Sequence, residues 1–121
     1  SLTGSNNTAM GRAALVALDS GDNNTAIGFN ALTSMDGMSG ITAIGANALQ
    51  NNLLGGGQNT AVGYNSLFSN TIGSNNTVIG HGVMVSNING NNNTAVGQNS
   101  LAALASIVAG ETNDNTAVGY N

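Results

Sequence analysis

A short motif recurs from one end of this 121-residue chain to the other. One copy is Asn59-Thr60-Ala61-Val62-Gly63, followed by Tyr64-Asn65-Ser66-Leu67. The threonine of the motif stands at positions 8, 25, 42, 60, 77, 94 and 116, so successive copies are 17, 17, 18, 17, 17 and 22 residues apart. A fixed repeat of this kind is typical of chains that coil into a stack, because a short repeat buries its apolar face only against its neighbours.

The composition restricts the partners more than it restricts the fold. The formal net charge is −4, and Arg12 is the single basic residue. Contacts with phosphates need several Lys or Arg side chains, so we expect no nucleic-acid partner. The chain has no apolar run of about 18 residues, so we expect no membrane insertion. The abundance of Gly and Asn is also typical of disordered tracts, but the aliphatic residues recur in phase with the repeat, which disorder does not require.

The centre of each motif predicts a short β-strand, because β-branched residues favour strands. Alternate side chains of a strand share a face, so Thr60 and Val62 point one way and Ala61 points the other way. The position of Val62 is apolar in every copy, and we therefore predict that it faces the core. This predicted core column contains Met10, Ile27, Ile44, Val62, Ile79, Val96 and Val118.

The opposite face of the predicted strand carries a small apolar residue in every copy. A face in contact with water rarely stays so small and so apolar, and close approach to another surface would explain it. We therefore predict that this column forms the interface between chains. Its members are Ala9, Ala26, Ala43, Ala61, Val78, Ala95 and Ala117.

Gly63 and its equivalents follow each strand, and an Asn stands two residues later in most copies. Gly and Asn tolerate the positive φ of a sharp turn. A second strand with an inward aliphatic side chain is predicted next, and a second Gly-rich turn closes the coil. The Asn pairs before each Thr are expected to stack as amide ladders. The inward aliphatic residues of the second strand are Leu15, Leu32, Leu49, Leu67, Met84 and Leu101.

Together these features predict an all-β fold, a parallel β-solenoid of about seven coils of roughly 17 residues, spanning residues 1–121 as one repeat array. An antiparallel meander is the alternative, but it would not need identical turns at identical phase. A single thin coil buries few aliphatic side chains, and the free energy of their burial is small beside the entropic cost of ordering the backbone. We therefore expect a homo-oligomer, most simply a homotrimer with the Ala column near its axis.

The motif resembles the repeats of two related groups of trimeric proteins. Residues 60–63 match the Val-Ala-Ile-Gly core of the head repeat in trimeric autotransporter adhesins, with Thr in place of the first Val. Residues 29–32 and 64–67 are similar to the Tyr-x-Ala-Leu part of shaft repeats in fibres of phages, large viruses and predatory bacteria. The resemblance covers nearly the whole chain. It implies a left-handed β-roll in a trimeric, extracellular attachment fibre on a cell surface or virion, and we expect the chain to be a fragment of a longer fibre protein.

No catalytic set is visible, so we expect no enzyme activity, no cofactor and no metal. His81 is the single His and has no Cys or carboxylate at motif spacing, and the acidic residues fall in different turns. A calcium-binding roll would need the Gly-Gly-x-Gly-x-Asp repeat in register, which is missing. The position directly after the turn Gly varies from repeat to repeat and carries a ring in several of them. If these rings are exposed, they could contact a sugar or a protein; alternatively, each ring covers the turn below it. The possible ligand residues at this position are Phe29, Tyr64, His81 and Tyr120.

Three functions follow from these expectations. The first is a structural segment of an attachment fibre, and the second is an adhesin head that itself binds a cell-surface glycan or protein. The third is an ice-binding solenoid, suggested by the threonine column. Ice-binding faces generally carry Thr-x-Thr, whereas here the second position is Val, Ile or Met and is predicted to face inward. The apolar stretch 102–109 inside the longest repeat is expected to form a helical turn or a bulge that packs against a neighbouring chain. Alternatively, it breaks the rod or forms a lateral contact.

Overall fold

A computed structural model of the chain describes residues 4–17, 19–34, 37–54, 56–103 and 113–121. Within these ranges the regular secondary structure is seven strands of three residues, one at each copy of the motif. They are β1 (Thr8–Met10), β2 (Thr25–Ile27), β3 (Thr42–Ile44), β4 (Thr60–Val62), β5 (Thr77–Ile79), β6 (Thr94–Val96) and β7 (Thr116–Val118).

The seven strands form one parallel sheet in the order β1 to β7. Each threonine pairs with the threonine of the next repeat, as Thr60 does with Thr42 on one side and Thr77 on the other. Because every strand returns to lie beside the preceding one in the same direction, the chain is a β-solenoid. The prediction of a parallel β-solenoid is confirmed, and the antiparallel meander is wrong.

The predicted second strand is wrong. The residues around Leu67 form turns, and Leu67 itself has a φ of 53°, in the left-handed region. Backbone bonds still join neighbouring repeats here, because the Leu67 amide donates to the Val83 carbonyl at 2.9 Å. A left-handed residue bends the chain sharply, so the repeat closes through turns where the sequence predicted a strand. The same conformation recurs at Leu15, Leu32, Leu49, Met84 and Leu101.

The core lies inside the coil and is lined by the inward Leu or Met of the turns and by the alanines of the strands. Leu32, Leu49, Leu67 and Met84 are fully buried, as the sequence predicted, and Leu15 and Leu101 are partly buried against the same cluster.

The facing of the strands is opposite to the prediction. Ala61 and its equivalents Ala26, Ala43, Val78 and Ala95 are fully buried inside the coil. The predicted core column instead faces outward: Met10, Ile79 and Val118 are exposed, and Ile27, Ile44, Val62 and Val96 are half-buried. The predicted interface alanines therefore lie in the core, apart from exposed Ala9 in β1 and half-buried Ala117 in β7.

The width of the coil explains this reversal. A repeat of about 17 residues encloses a narrow interior that is already occupied by the turn leucines and by asparagines. Only a side chain as small as Ala, or Val at position 78, fits on the inner face of the strand. The larger Val, Ile and Met side chains are therefore placed outside.

Asparagine side chains fill much of the remaining interior. Asn24, Asn59, Asn76 and Asn93 are fully buried just before their strands. Side-chain amide bonds join Asn59, Asn76 and Asn93, which confirms the predicted amide ladder for these three. A second buried stack, of Asn52, Asn70 and Asn87, was not predicted. Its amides bond to one another at 2.8 Å and to the carbonyls of the Gly-rich turns.

The prediction for residues 102–109 falls mostly outside the described residues, of which only Ala102 and Ala103 belong to it. In the described part of the chain, there is no helix of the length and apolarity needed to cross a bilayer.

Candidate binding surfaces

The outward side of the parallel sheet presents two adjacent columns of side chains, which we call the outer ladder. One column consists of the strand threonines, and the other consists of the Val, Ile and Met residues two positions later. Each member lies beside its equivalent in the next repeat because the strands pair in register. With about 4.8 Å between neighbouring strands, the outer ladder runs for roughly 30 Å. Its members are Thr8, Thr25, Thr42, Thr60, Thr77, Thr94, Thr116, Met10, Ile27, Ile44, Val62, Ile79, Val96 and Val118.

The outer ladder carries no charged side chain. Within the described residues, no strand threonine uses its side-chain hydroxyl in a hydrogen bond to another part of the chain. Thr71, in a turn, differs, because its hydroxyl donates to the Ile88 carbonyl at 3.1 Å. The outer ladder therefore combines half-exposed aliphatic groups with hydroxyls that can bond to water or to another molecule.

The variable position two residues beyond each strand forms a third column, which we call the corner column. Backbone hydrogen bonds between successive repeats fix its stacking. In each bond, the carbonyl of one member accepts from the backbone amide of the residue directly after the member in the next repeat. The backbone amide of Asn47 donates to the Phe29 carbonyl at 2.8 Å, and the backbone amide of Asn65 donates to the Ala46 carbonyl at 3.0 Å. Phe29, Ala46 and Tyr64 therefore stand directly one after another. The corner column consists of Arg12, Phe29, Ala46, Tyr64, His81, Gln98 and Tyr120.

The rings of the corner column point into solvent. The exposed fractions are 45% for Phe29, 51% for Tyr64 and 73% for Tyr120, and His81 is also exposed. The Arg12 guanidinium carbon lies 5.6 Å from the centre of the Phe29 ring and covers one of its faces. Tyr64 and His81 meet edge to face, with ring centres 5.3 Å apart. The structure thus brings the predicted ligand residues into one column, in which Tyr120 is separated from the others by Gln98.

A smaller apolar patch was missed by the sequence analysis. Leu53 and Leu54 are exposed in one repeat, and Ile72 is exposed in the next. Their repeats are joined by a 2.8 Å bond from the Leu54 amide to the Thr71 carbonyl. No repeating column signals this patch, because the equivalent positions elsewhere in the chain are mostly polar or Gly.

The described residues contain no cluster of three or more His, Cys, Asp or Glu side chains that could hold a metal ion. The candidate binding surfaces in this part of the chain are the outer ladder, the corner column and the small apolar patch.

Comparison with known proteins gives no relative. No family model matches the chain, and neither the curated proteins nor the solved structures contain a significant match.

Proposed function

We propose that this chain is a structural segment of a homotrimeric, extracellular attachment fibre, in which the outer ladders of three copies meet. The observation that carries the proposal is the outer ladder itself, an uninterrupted, uncharged strip that extends along the whole sheet. The resemblance of the repeats to those of trimeric fibres supports the number of chains and the location on a cell surface or virion.

The chemistry of the outer ladder suits contact with further copies of the same chain. Each repeat contributes one aliphatic side chain, and burying its exposed part contributes on the order of 1 kcal/mol. The same contact recurs in every repeat, so identical chains aligned in parallel bury the whole strip at once. The threonine hydroxyls at the edge of the strip can bond across the interface or to trapped water.

A fibre segment also needs stiffness along its axis, and the interior supplies it. The side-chain amide of Asn76 donates to Asn59 and to the Gly90 carbonyl, while its oxygen accepts from Asn93. Asn76 thus ties together three neighbouring repeats. Such a satisfied polar network resists bending and sliding, because any slip leaves buried polar groups unpaired.

The mass of the native protein in solution tests this proposal. Sedimentation equilibrium is expected to give about three times the 11.9 kDa of one chain. A monomer at micromolar concentration, with the β-sheet signal intact by circular dichroism, would contradict the trimer. A dimer or tetramer would retain self-assembly and contradict the number of chains.

A second candidate function is ice binding by the same outer ladder. The observation that favours it is that the threonine column faces outward. This removes the argument that this side of the strand points into the core. The other argument remains, because Val, Ile or Met stands where ice-binding faces generally carry a second Thr. Chains whose outer ladders meet cannot bind ice there, so the two functions exclude each other. Thermal hysteresis in a dilute solution of a monomeric protein would favour ice binding, and its absence would remove that candidate.

A further inference from the structure

The corner column contains a gap between two aromatic rings. Phe29 and Tyr64 are two repeats apart, and the repeat between them carries Ala46, whose side chain is a single methyl group. The backbone bonds from Asn47 to Phe29 and from Asn65 to Ala46 establish this order. With about 4.8 Å per repeat, the two rings are attached to backbones roughly 9–10 Å apart.

The orientation of Phe29 leaves one ring face available to this gap. Arg12, in the preceding repeat, covers the face that points away from Ala46. The opposite face therefore points along the solenoid towards the Ala46 repeat. On the far side of the gap, Tyr64 is held by its edge-to-face contact with His81, and half of its surface remains exposed. Both rings are thus in contact with a neighbour outside the gap, and both remain about half exposed.

The gap is wide enough for one flat ring. Carbon atoms in contact lie about 3.5–4.0 Å apart, so a ring stacked between two others needs roughly 7–8 Å between them. Half-exposed amides directly follow Ala46 and Tyr64 in the chain, and Asn47 donates its side-chain amide to the Asn65 side-chain oxygen at 3.0 Å. Apolar faces with a few adjacent polar groups are typical of small-ligand sites.

We propose that Phe29 and Tyr64 hold one pyranose ring of a neutral carbohydrate above Ala46. A sugar ring has an apolar C–H face that stacks on aromatic rings and hydroxyls at its rim that bond to amides. No carboxylate or Lys belongs to the corner column, and the Arg12 charge lies behind Phe29, so the site offers nothing to pair with a charged sugar. A nucleobase would stack equally well, but a chain of net charge −4 repels the phosphates that accompany it. This site goes beyond the structural role and does not depend on the number of chains.

Saturation-transfer NMR on the full chain tests the site, with the methyl glycosides of glucose, galactose, mannose and N-acetylglucosamine as probes. At least one glycoside is expected to receive saturation, strongest at the protons of one ring face. Phe29→Ala, Tyr64→Ala and Ala46→Phe are each expected to weaken binding by about tenfold. Ala46→Phe fills the gap without removing either ring, so it separates stacking from loss of a side chain.

Two matched controls belong to the same column. Tyr120→Ala removes an exposed ring outside the gap, and Gln98→Phe adds a ring at another repeat, so both are expected to bind like the native chain. Absence of saturation for all four glycosides, or a signal that survives Ala46→Phe, would overturn the proposal. A signal from N-acetyltryptophan amide without one from any glycoside would also overturn it and indicate a protein ligand. The mass measurement that tests the trimer is unaffected by any of these outcomes.

Discussion

The side-chain oxygen of Asn59 accepts two hydrogen bonds from Asn76, one from its backbone amide at 2.9 Å and one from its side-chain amide at 3.1 Å. Both residues are fully buried. Every hydrogen-bonding group of the Asn76 side chain is used, because its oxygen accepts from the backbone and side-chain amides of Asn93. The interior of this solenoid is therefore held by a polar ladder as much as by its aliphatic residues.

Asn76→Asp is expected to destabilise the fold by about 3 kcal/mol or more. The substitution removes the two side-chain N–H donors of Asn76 and places a buried carboxylate beside the oxygens that they bonded. The neighbouring Asn75→Asp is the matched control, since Asn75 is exposed and has a φ of 59°, which Asp tolerates. It is expected to change the unfolding free energy by less than about 0.5 kcal/mol. Urea denaturation measures both, and equal effects would show that the buried ladder contributes nothing special.

Gly63→Ala is expected to disrupt the coil, because the added Cβ would lie 2.2 Å from the Gly80 carbonyl oxygen and φ is 132°. Gly40→Ala is the control: its φ is also positive, at 73°, but the nearest atom would lie 3.6 Å away in the Gln58 side chain. The control carries only the cost of an L-residue in the left-handed region, roughly 1–2 kcal/mol. Thermal melts should show a far larger loss for Gly63→Ala, and comparable melting temperatures would contradict the close approach of neighbouring repeats.

The facing of the strands is tested by Thr60→Val and Ala61→Leu. The Thr60 hydroxyl has no partner within the described chain and points outward, so its removal is expected to leave monomer stability nearly unchanged. Ala61 is fully buried, and overpacking its site is expected to cost roughly 1–3 kcal/mol or more. If the alanines instead faced outward and the threonines inward, the order of the two effects in chemical denaturation would be reversed.

The repeat alone predicted the stacking, the parallel pairing, the turn glycines and the inward leucines. Each of these depends on periodicity, which the sequence displays directly. The stacking of the second Asn of each pair was also predictable, because a buried amide is satisfied most simply by its own equivalent in the next repeat.

The prediction for the facing of β4 and its equivalents is wrong, because the more apolar side of these strands is the outer one. In a narrow coil, space decides instead: the inner position accepts Ala61 and little more. A signal was present in the sequence, since the inner column is almost uniform in size, whereas the outer one varies among Val, Ile and Met. The second strand failed for a related reason, because nothing in the identity of Leu67 signals a left-handed backbone.

The most direct measurement compares the masses of Val62→Glu and Val16→Glu with that of the native chain. Val62 lies in the outer ladder, whereas Val16 is an equally aliphatic residue, 66% exposed, outside it. In sedimentation equilibrium, Val62→Glu is expected to shift the protein from three chains to one while the β-sheet signal persists, because three carboxylates would meet at one level of the interface. Val16→Glu is expected to keep the native mass. A Val62→Glu protein that stays assembled, or a native chain that is already monomeric, would contradict the account.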